Sequence, residues 1–362
     1  MKGKRLATVL GICVVLILAV LPFIVACGAP APKEASPPAP KEASPPAPKV
    51  FKWRMAGFLP RGTPQEPAII GLCEHVREAS GERLDITYYA VNEIVPVMEM
   101  WEAVSKGVIE MAFSYGAYWP GKTLVAAHSC GLAYTKQDVR DFHVLLDVLG
   151  LEDVIREGYA EHNIHLVKVI PCLETVMQTK FPVTKVADLK GRVIRATGMI
   201  ADMLTEAGAS TVFFPGPEIY GALERGVAEG VVYGPLAPQY DQGFHEVCGY
   251  LLMPPLAVEA DEFIVNMDAW NSLPDDLKEI LTLACVEAGR HSSALYRHAS
   301  QLALKDMVEN WGTVVTYMPE EERAKMAACM VKVMDRYSAE DPLFAKATKI
   351  VKDYMKLIGL LD

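Results

Sequence analysis

The chain is short of the residue patterns that commonly mark metal, nucleotide or nucleic-acid chemistry. Its eight cysteines include no CxxC pair, which argues against a zinc site. Its eight histidines do not cluster: His162 and His165 are three apart but straddle an expected helix–strand junction. Lys and Arg total 35 against 45 Asp and Glu, a formal charge of −10. No basic block follows Arg5, so nucleic acid is excluded as a partner. No GxSxG, HExxH, P-loop or GxGxxG opens a strand–helix unit, so no local motif supports an enzyme. A Ser-His-Asp triad assembles from distant residues, and a secreted α/β hydrolase therefore stays open as a rival on sequence alone.

What is present begins with an address. Lys2, Lys4 and Arg5 precede an unbroken apolar run from Leu6 to Ala26. A basic start, an apolar core and small residues at a boundary are the layout of a secretory signal, here residues 1–26. The boundary sequence Ile24-Val25-Ala26-Cys27-Gly28 resembles the bacterial lipobox. That resemblance makes Cys27 a lipidation site and the mature N-terminus, holding the protein on the outer face of a membrane. An uncleaved transmembrane anchor is the alternative, because about 21 apolar residues can span a hydrocarbon core of roughly 30 Å. Pro22 and the placement of Cys27 where the run stops favour lipidation.

Residues 27–49 read as a tether. The octapeptide APKEASPP occurs at Ala31–Pro38 and again at Ala39–Pro46, and a third copy starts at Ala47. Eight residues without a large apolar side chain cannot bury a face, so this is low complexity and not a solenoid. Proline fixes φ and lacks the amide donor, which favours extended polyproline II. At about 3.1 Å per residue, some 22 residues reach up to roughly 70 Å.

The remainder exceeds one typical core and alternates short strands with helices. Val50–Gly57, Leu84–Tyr89 and Val108–Tyr115 read as strands separated by helices at Ala68–Ser80 and Pro96–Lys106. Asp138–His162 reads as one helix, and His165–Ile170 and Val176–Lys180 as two strands. Short αβ units recur over 192–233, and helices dominate from Pro274. The expected class is α/β: a two-lobed, periplasmic-binding-protein-like fold with crossover strands and long C-terminal helices. Lobe I is expected at 50–172 plus 261–300, and lobe II at 173–260 plus 301–362. Ligands of such sheets bind in the crevice at the carboxyl ends of strands. The six cysteines after Cys27 are far apart, and buried free thiols are expected.

The segment Asp188–Gly234 carries the most specific signal. It reads DLKGRVIRATG, then LTEAGASTVFFPGPEIYGALERGVAEGVVYG. This resembles the DctP-like family, the solute-binding subunits of tripartite ATP-independent periplasmic (TRAP) transporters. The likeness extends more loosely across Phe51–Ala303, through WRMAGFLP, GERLDITYYAVNEIVP, VSKGVIEMAFSYGAYW and IVNMDAWNSLPDDLKEIL. It implies a binder and not an enzyme. The protein would capture a small organic acid (a 2-oxo acid, a hydroxy acid or a dicarboxylate) and deliver it to a small and a large membrane subunit. A ligand sensor uncoupled from transport is a further alternative.

The resemblance also implies residues. An Arg in the strand after DLKG takes the ligand carboxylate, and the matching residue is Arg195. A guanidinium suits this role because it presents parallel donors to a planar carboxylate and stays charged when water is excluded. Tyr233 falls near the second lining position. Phe58, Tyr115, Tyr118 and Trp119 are candidate pocket walls, with core packing as the alternative for each. One subgroup binds 2-oxo acids with a metal ion, and it places an acid and Trp about where Val231 and Val232 stand here. That departure weakens both the metal and the 2-oxo acid assignment. The stretch Tyr240–Pro255 nevertheless resembles that subgroup, Glu174 falls near one of its Gln positions, and Glu259, Asp261 and Glu262 near its metal carboxylate. No cofactor is required on this view, though a calcium or sodium ion would suit such oxygen ligands. Solvated loop acids are the competing expectation for Glu259, Asp261 and Glu262.

Overall fold

The computed structural model describes residues 49–361, Pro120 excepted. The expected signal peptide, Cys27 and the tether up to Pro48 lie outside the described residues. The chain opens with strand β1 (Phe51–Gly57), helix α1 (Glu66–Ala79), β2 (Leu84–Tyr89), α2 (Met100–Ser105) and β3 (Met111–Ser114). Next come α3 (Val139–His143), α4 (Leu151–Ala160) and a long strand β4 (Ile164–Thr179). A second set of short units follows: β5 (Val193–Arg195), α5 (Gly198–Glu206), β6 (Ser210–Val212), α6 (Gly216–Glu224) and β7 (Gly230–Val232). Two short helices, α7 (Leu236–Asp241) and α8 (Phe244–Val247), lead into the second long strand, β8 (Tyr250–Asn266). The chain finishes with α9 (Met267–Ser272), α10 (Asp275–Asn310), β9 (Val314–Tyr317), α11 (Glu320–Ser338) and α12 (Pro342–Leu357).

All nine strands join one sheet in the order β2-β1-β3-β8-β4-β7-β5-β6, with β9 also on β8. Three parallel strands, β2, β1 and β3, form one end, and three more, β7, β5 and β6, form the other. The antiparallel pair β4 and β8 connects them. β3 pairs with the last residues of β8 (Met111 with Val265, Ser114 with Glu262), whereas β9 pairs with its first (Tyr250 with Val314). β7 pairs only with the end of β4, at Met177–Thr179. Each long strand therefore serves both halves, which is the crossover architecture expected.

Local differences from the sequence expectations have identifiable causes. The two strands expected at 165–170 and 176–180 are one strand. Pro171 looked like punctuation, but it sits where the register shifts between Pro171 and Leu173, and a bulge tolerates a residue without an amide donor. The single helix expected over 138–162 is broken: one π-helical turn follows α3, and Gly150, at φ 78°, separates it from α4. The solvated-loop expectation for Glu259, Asp261 and Glu262 fails, because all three lie on β8 and are buried, at 3, 0 and 0 % exposure. All six described cysteines are free. Among the described residues no helix is long and apolar enough to cross a membrane.

Packing follows the apolar spacing. Trp53, Met55, Ile69, Leu72 and Val76 from β1 and α1 meet Leu277, Leu281 and Ala284 of α10 in one core. A larger core includes Met203 and Leu204 of α5, Met326 and Met330 of α11 and Val351 and Met355 of α12. Helix α10, 36 residues and therefore about 54 Å long, packs on α1, β4 and α7. At Gly289 it lies tight against β4, where a Cβ would stand 2.7 Å from Ile170 Cβ. Gly289→Ala is therefore expected to destabilise by about 1–3 kcal/mol through overpacking, despite alanine's helix preference of about 1 kcal/mol. The urea midpoint reads this, and a raised midpoint would mean α10 can lift off β4 without cost.

Candidate ligand-binding site

Five of the parallel strands deliver their carboxyl ends to the site. Arg195 is the last residue of β5, Phe213 and Phe214 follow β6, and Tyr233 follows β7. From the other half, Phe58 follows β1 and Tyr115 and Tyr118 follow β3. This is where ligands of open α/β sheets bind.

Arg195 is 5 % exposed. Its Nε and Nη2 donate to the Phe214 carbonyl at 3.2 and 3.0 Å, and Nη1 donates to the Val232 carbonyl at 2.9 Å. A guanidinium has five N–H donors, so one remains on each of Nη1 and Nη2. The group lies 5.5 Å from the Phe213 ring centroid and 5.2 Å from that of Tyr233. Burial lowers its pKa, and the neighbouring phenols of Tyr233, Tyr118 and Tyr115 act the other way. None of the ion pairs among the described residues includes Arg195. It is thus a fixed, nearly buried cation that lacks an anion. The Tyr233 hydroxyl comes close to Gly216, where a Cβ would stand 2.7 Å from it, so only glycine leaves that space.

Facing this cation is an aromatic group. Phe58 lies 6.3 Å from Tyr115 and 5.9 Å from Tyr118, between ring centroids, and Tyr115 lies 5.5 Å from Tyr118. Burial raises the Tyr118 pKa, with Tyr233 and Asp261 adding to the rise and Arg195 opposing it. Tyr118 therefore stands within electrostatic reach of both halves. Trp119 is 2 % exposed and packs on Trp101, at 5.6 Å, behind Tyr118. Its place is core support and not the pocket wall expected. Glu174 is engaged by Arg297 Nη1 at 2.9 Å and lines a small cleft with Cys172 and Tyr296.

The acids of β8 form the floor. Glu259 and Glu262, expected as metal ligands, are each engaged by separate protein donors. Glu262 accepts from Ser114 Oγ at 2.8 Å and Tyr159 OH at 2.7 Å. Glu259 accepts from the Gly131 amide at 2.8 Å and from Thr175 Oγ1. Calcium takes six to eight oxygens, and this pair does not supply such a set. Among the described residues no three His, Cys, Asp or Glu side chains gather as metal ligands.

Asp261, expected with Glu259 and Glu262 near the metal carboxylate, has partners of its own. Its Oδ2 accepts from Gln65 Nε2 at 2.7 Å and from the Cys172 thiol at 3.3 Å. Cys172 reaches it from the extra residue of the Pro171–Leu173 bulge. Burial pushes Asp261 up to about 7, and Glu262 likewise to about 7. The one available signal was a group of three acids, Glu259, Asp261 and Glu262, inside an otherwise apolar stretch.

The chain matches the family model described as "Bacterial extracellular solute-binding protein, family 7" (DctP) over residues 55–341. It is 25 % identical over 315 residues to the monocarboxylate 2-oxoacid-binding periplasmic protein of Nostoc sp., covering 85 % of each chain. Its fold is similar to a TRAP periplasmic solute-binding protein from Colwellia psychrerythraea solved with calcium and pyruvate. The TM-score is 0.76 at 24 % identity, over 86 % of this chain and 95 % of the other. A counterpart from Pseudoalteromonas atlantica with sodium and pyruvate gives 0.74 at 23 % identity, over 86 and 95 %. With the crossover sheet and the sequence match spanning both halves, the chain belongs to the DctP family of bacterial extracellular solute-binding proteins.

Proposed function

We propose that this protein captures a small organic carboxylate in the cleft between its two lobes and delivers it to the small and large membrane subunits of a TRAP transporter. Arg195 carries this assignment. It is buried, held by two backbone carbonyls, has an N–H left on each terminal nitrogen, and has no anion to neutralise it among the described residues. Burying a charge is costly unless it is paired, so a ligand carboxylate completes the site. Tyr233 lines the same end, and Phe58, Tyr115 and Tyr118 close over the ligand from the other lobe. Glu174 contributes at the rim.

The lobes divide at 50–172 plus 261–300 and 173–260 plus 301–362, with α10 running through the boundary at residue 300 and β4 and β8 as the bending connection. Lipid on Cys27 and the tether over 27–49 keep the protein at the outer face of the membrane, near its permease. The chemistry is capture and release, without turnover. The Nostoc relative, a 2-oxoacid-binding protein, supports a 2-oxo acid, with hydroxy acids and dicarboxylates in the same charge class. The calcium and sodium ions of the related structures allow an ion to accompany the ligand, but Glu259 and Glu262 do not cage one by themselves.

A thermal-shift screen of 2-oxo acids, hydroxy acids, C4 dicarboxylates, sugar acids and amino acids, with and without calcium, tests the assignment. A true ligand at 100 times its Kd should stabilise by about 2.7 kcal/mol, and unchanged mass of the released ligand confirms the absence of turnover. If only uncharged sugars or cations lacking a carboxylate shift the transition, the carboxylate assignment is wrong.

A further inference from the structure

The site holds a second unmatched charge, of the opposite sign. Asp261 is 0 % exposed, and its Oδ2 already has both of its donors, Gln65 and Cys172. Its Oδ1 has no hydrogen-bond partner, and neither does Gln65 Oε1. Gln65 is itself fully buried. Two acceptor oxygens are thus fastened side chain to side chain with no donor provided for either. A protonated Asp261 brings one donor of its own; once it is ionised, neither oxygen has a donor among the described residues, and because buried polar atoms in folded proteins are nearly always satisfied, a donor from outside the protein completes the ionised site.

The groups around Asp261 supply no cation. Gln65 approaches from the start of α1, Cys172 from β4, and Tyr296 from α10 with Tyr118 from the loop after β3. Glu259 and Glu262 flank it on β8. None of the ion pairs among the described residues includes Asp261. Tyr115 packs on Cys172 and Tyr296, so this acid floor is continuous with the aromatic group facing Arg195. Tyr118 lies in reach of both charges.

We propose that the cleft is a two-ended site for a zwitterion: Arg195 takes the carboxylate, and Asp261 with Gln65 takes an ammonium or amidinium group of the same ligand. This rests on the carboxylate assignment above and narrows it from organic acids in general to those carrying a cationic nitrogen. An ammonium offers three N–H donors and one positive charge, which meets two bare acceptors and one buried carboxylate. A plain carboxylate satisfies only the Arg195 end. A metal ion at the Asp261 end would find two protein oxygens where calcium requires six or more.

The test uses the full chain, with chelator present, and matched sets that differ only at the 2-position. These are alanine, pyruvate and lactate; glutamate, 2-oxoglutarate and 2-hydroxyglutarate; and the other amino acids beside their oxo and hydroxy counterparts. Calorimetry reads the affinities. At least one amino member should bind ten-fold or more tighter than its partners. Asp261→Asn should remove that preference, bringing the amino member's affinity down to that of its oxo and hydroxy partners. If no amino member binds, or if oxo members bind best with calcium and ignore Asp261→Asn, the inference is overturned. Loss of oxo-acid binding in Arg195→Ala alongside an indifferent Asp261→Asn overturns this inference alone. Undiminished oxo-acid binding in Arg195→Ala overturns the carboxylate assignment beneath it.

Discussion

Arg195→Ala should weaken ligand binding on the order of 10²- to 10³-fold while leaving a folded protein. Hydrogen bonds to charged groups contribute about 1.5–3 kcal/mol each, and leaving one buried charge without its partner costs about 3–5 kcal/mol. The alanine variant strands the ligand carboxylate in this way. It also frees the Phe214 and Val232 carbonyls, so the urea midpoint should fall slightly and must be measured beside the affinity. Arg195→Lys separates charge from geometry. It keeps the cation but offers a point donor in place of a planar fork, so its affinity should lie between the other two. Calorimetry with the ligand found in the screen decides it: native affinity in Arg195→Ala removes the residue from the site.

The second large effect concerns stability and carries a definite sign. Asp261 ordinarily ionises at 3.8 and is pushed up to about 7 by burial, with Gln65 and Cys172 opposing the rise. The folded protein therefore retains a proton that the unfolded chain releases between these values. Its contribution is fully present below the unfolded pKa and is lost as pH rises through about 7. At 1.36 kcal/mol per pKa unit, the ionised carboxylate costs the fold on the order of 4 kcal/mol at most above that pH. Asn cannot ionise and still accepts from Gln65. Asp261→Asn should thus gain stability relative to the parent by about 2–4 kcal/mol on going from pH 4 to pH 8. Glu262 is present in both proteins, so its own titration largely cancels. Urea unfolding at the two pH values measures the difference, and an equal offset at both would refute a raised pKa. A residue retained at such a cost is characteristic of binding sites.

The class of fold and the end of the sheet that binds ligand were legible because they rest on periodic signals and on a long motif. Asp188–Gly234 leads directly to Arg195, since DLKG marks the turn before β5 and the Gly residues mark helix ends. Strand β8 was harder. Pro254, Pro255 and three acids suggest an exposed loop, and only burial against β4, β3 and β9 makes them a strand. Propensity is local, whereas that pairing is set by residues some 80 to 150 positions away. Trp119 illustrates the same gap. A tryptophan beside two tyrosines looks like a pocket wall, and only Trp101 across the core shows which way it faces. Glu259 and Glu262 are taken up by separate protein donors, which no spacing along the strand reports. Gln65 and Asp261 meet through tertiary contact over 196 positions, which no spacing rule reports.

The sharing of β4 and β8 between the halves also governs the order in which the protein can be completed. Ser114 of β3 must wait for Glu262, and Met177 of β4 for Leu252. A chain emerging from the ribosome thus has two unfinished sheets, and no finished lobe, until residue 266 has been made. Such long-range pairing folds slowly, and here it links the fate of both halves to one late segment. On the proposal that the protein works at the outer face of the membrane, late completion is an asset, because it keeps the chain unfolded during the interval in which it must cross that membrane.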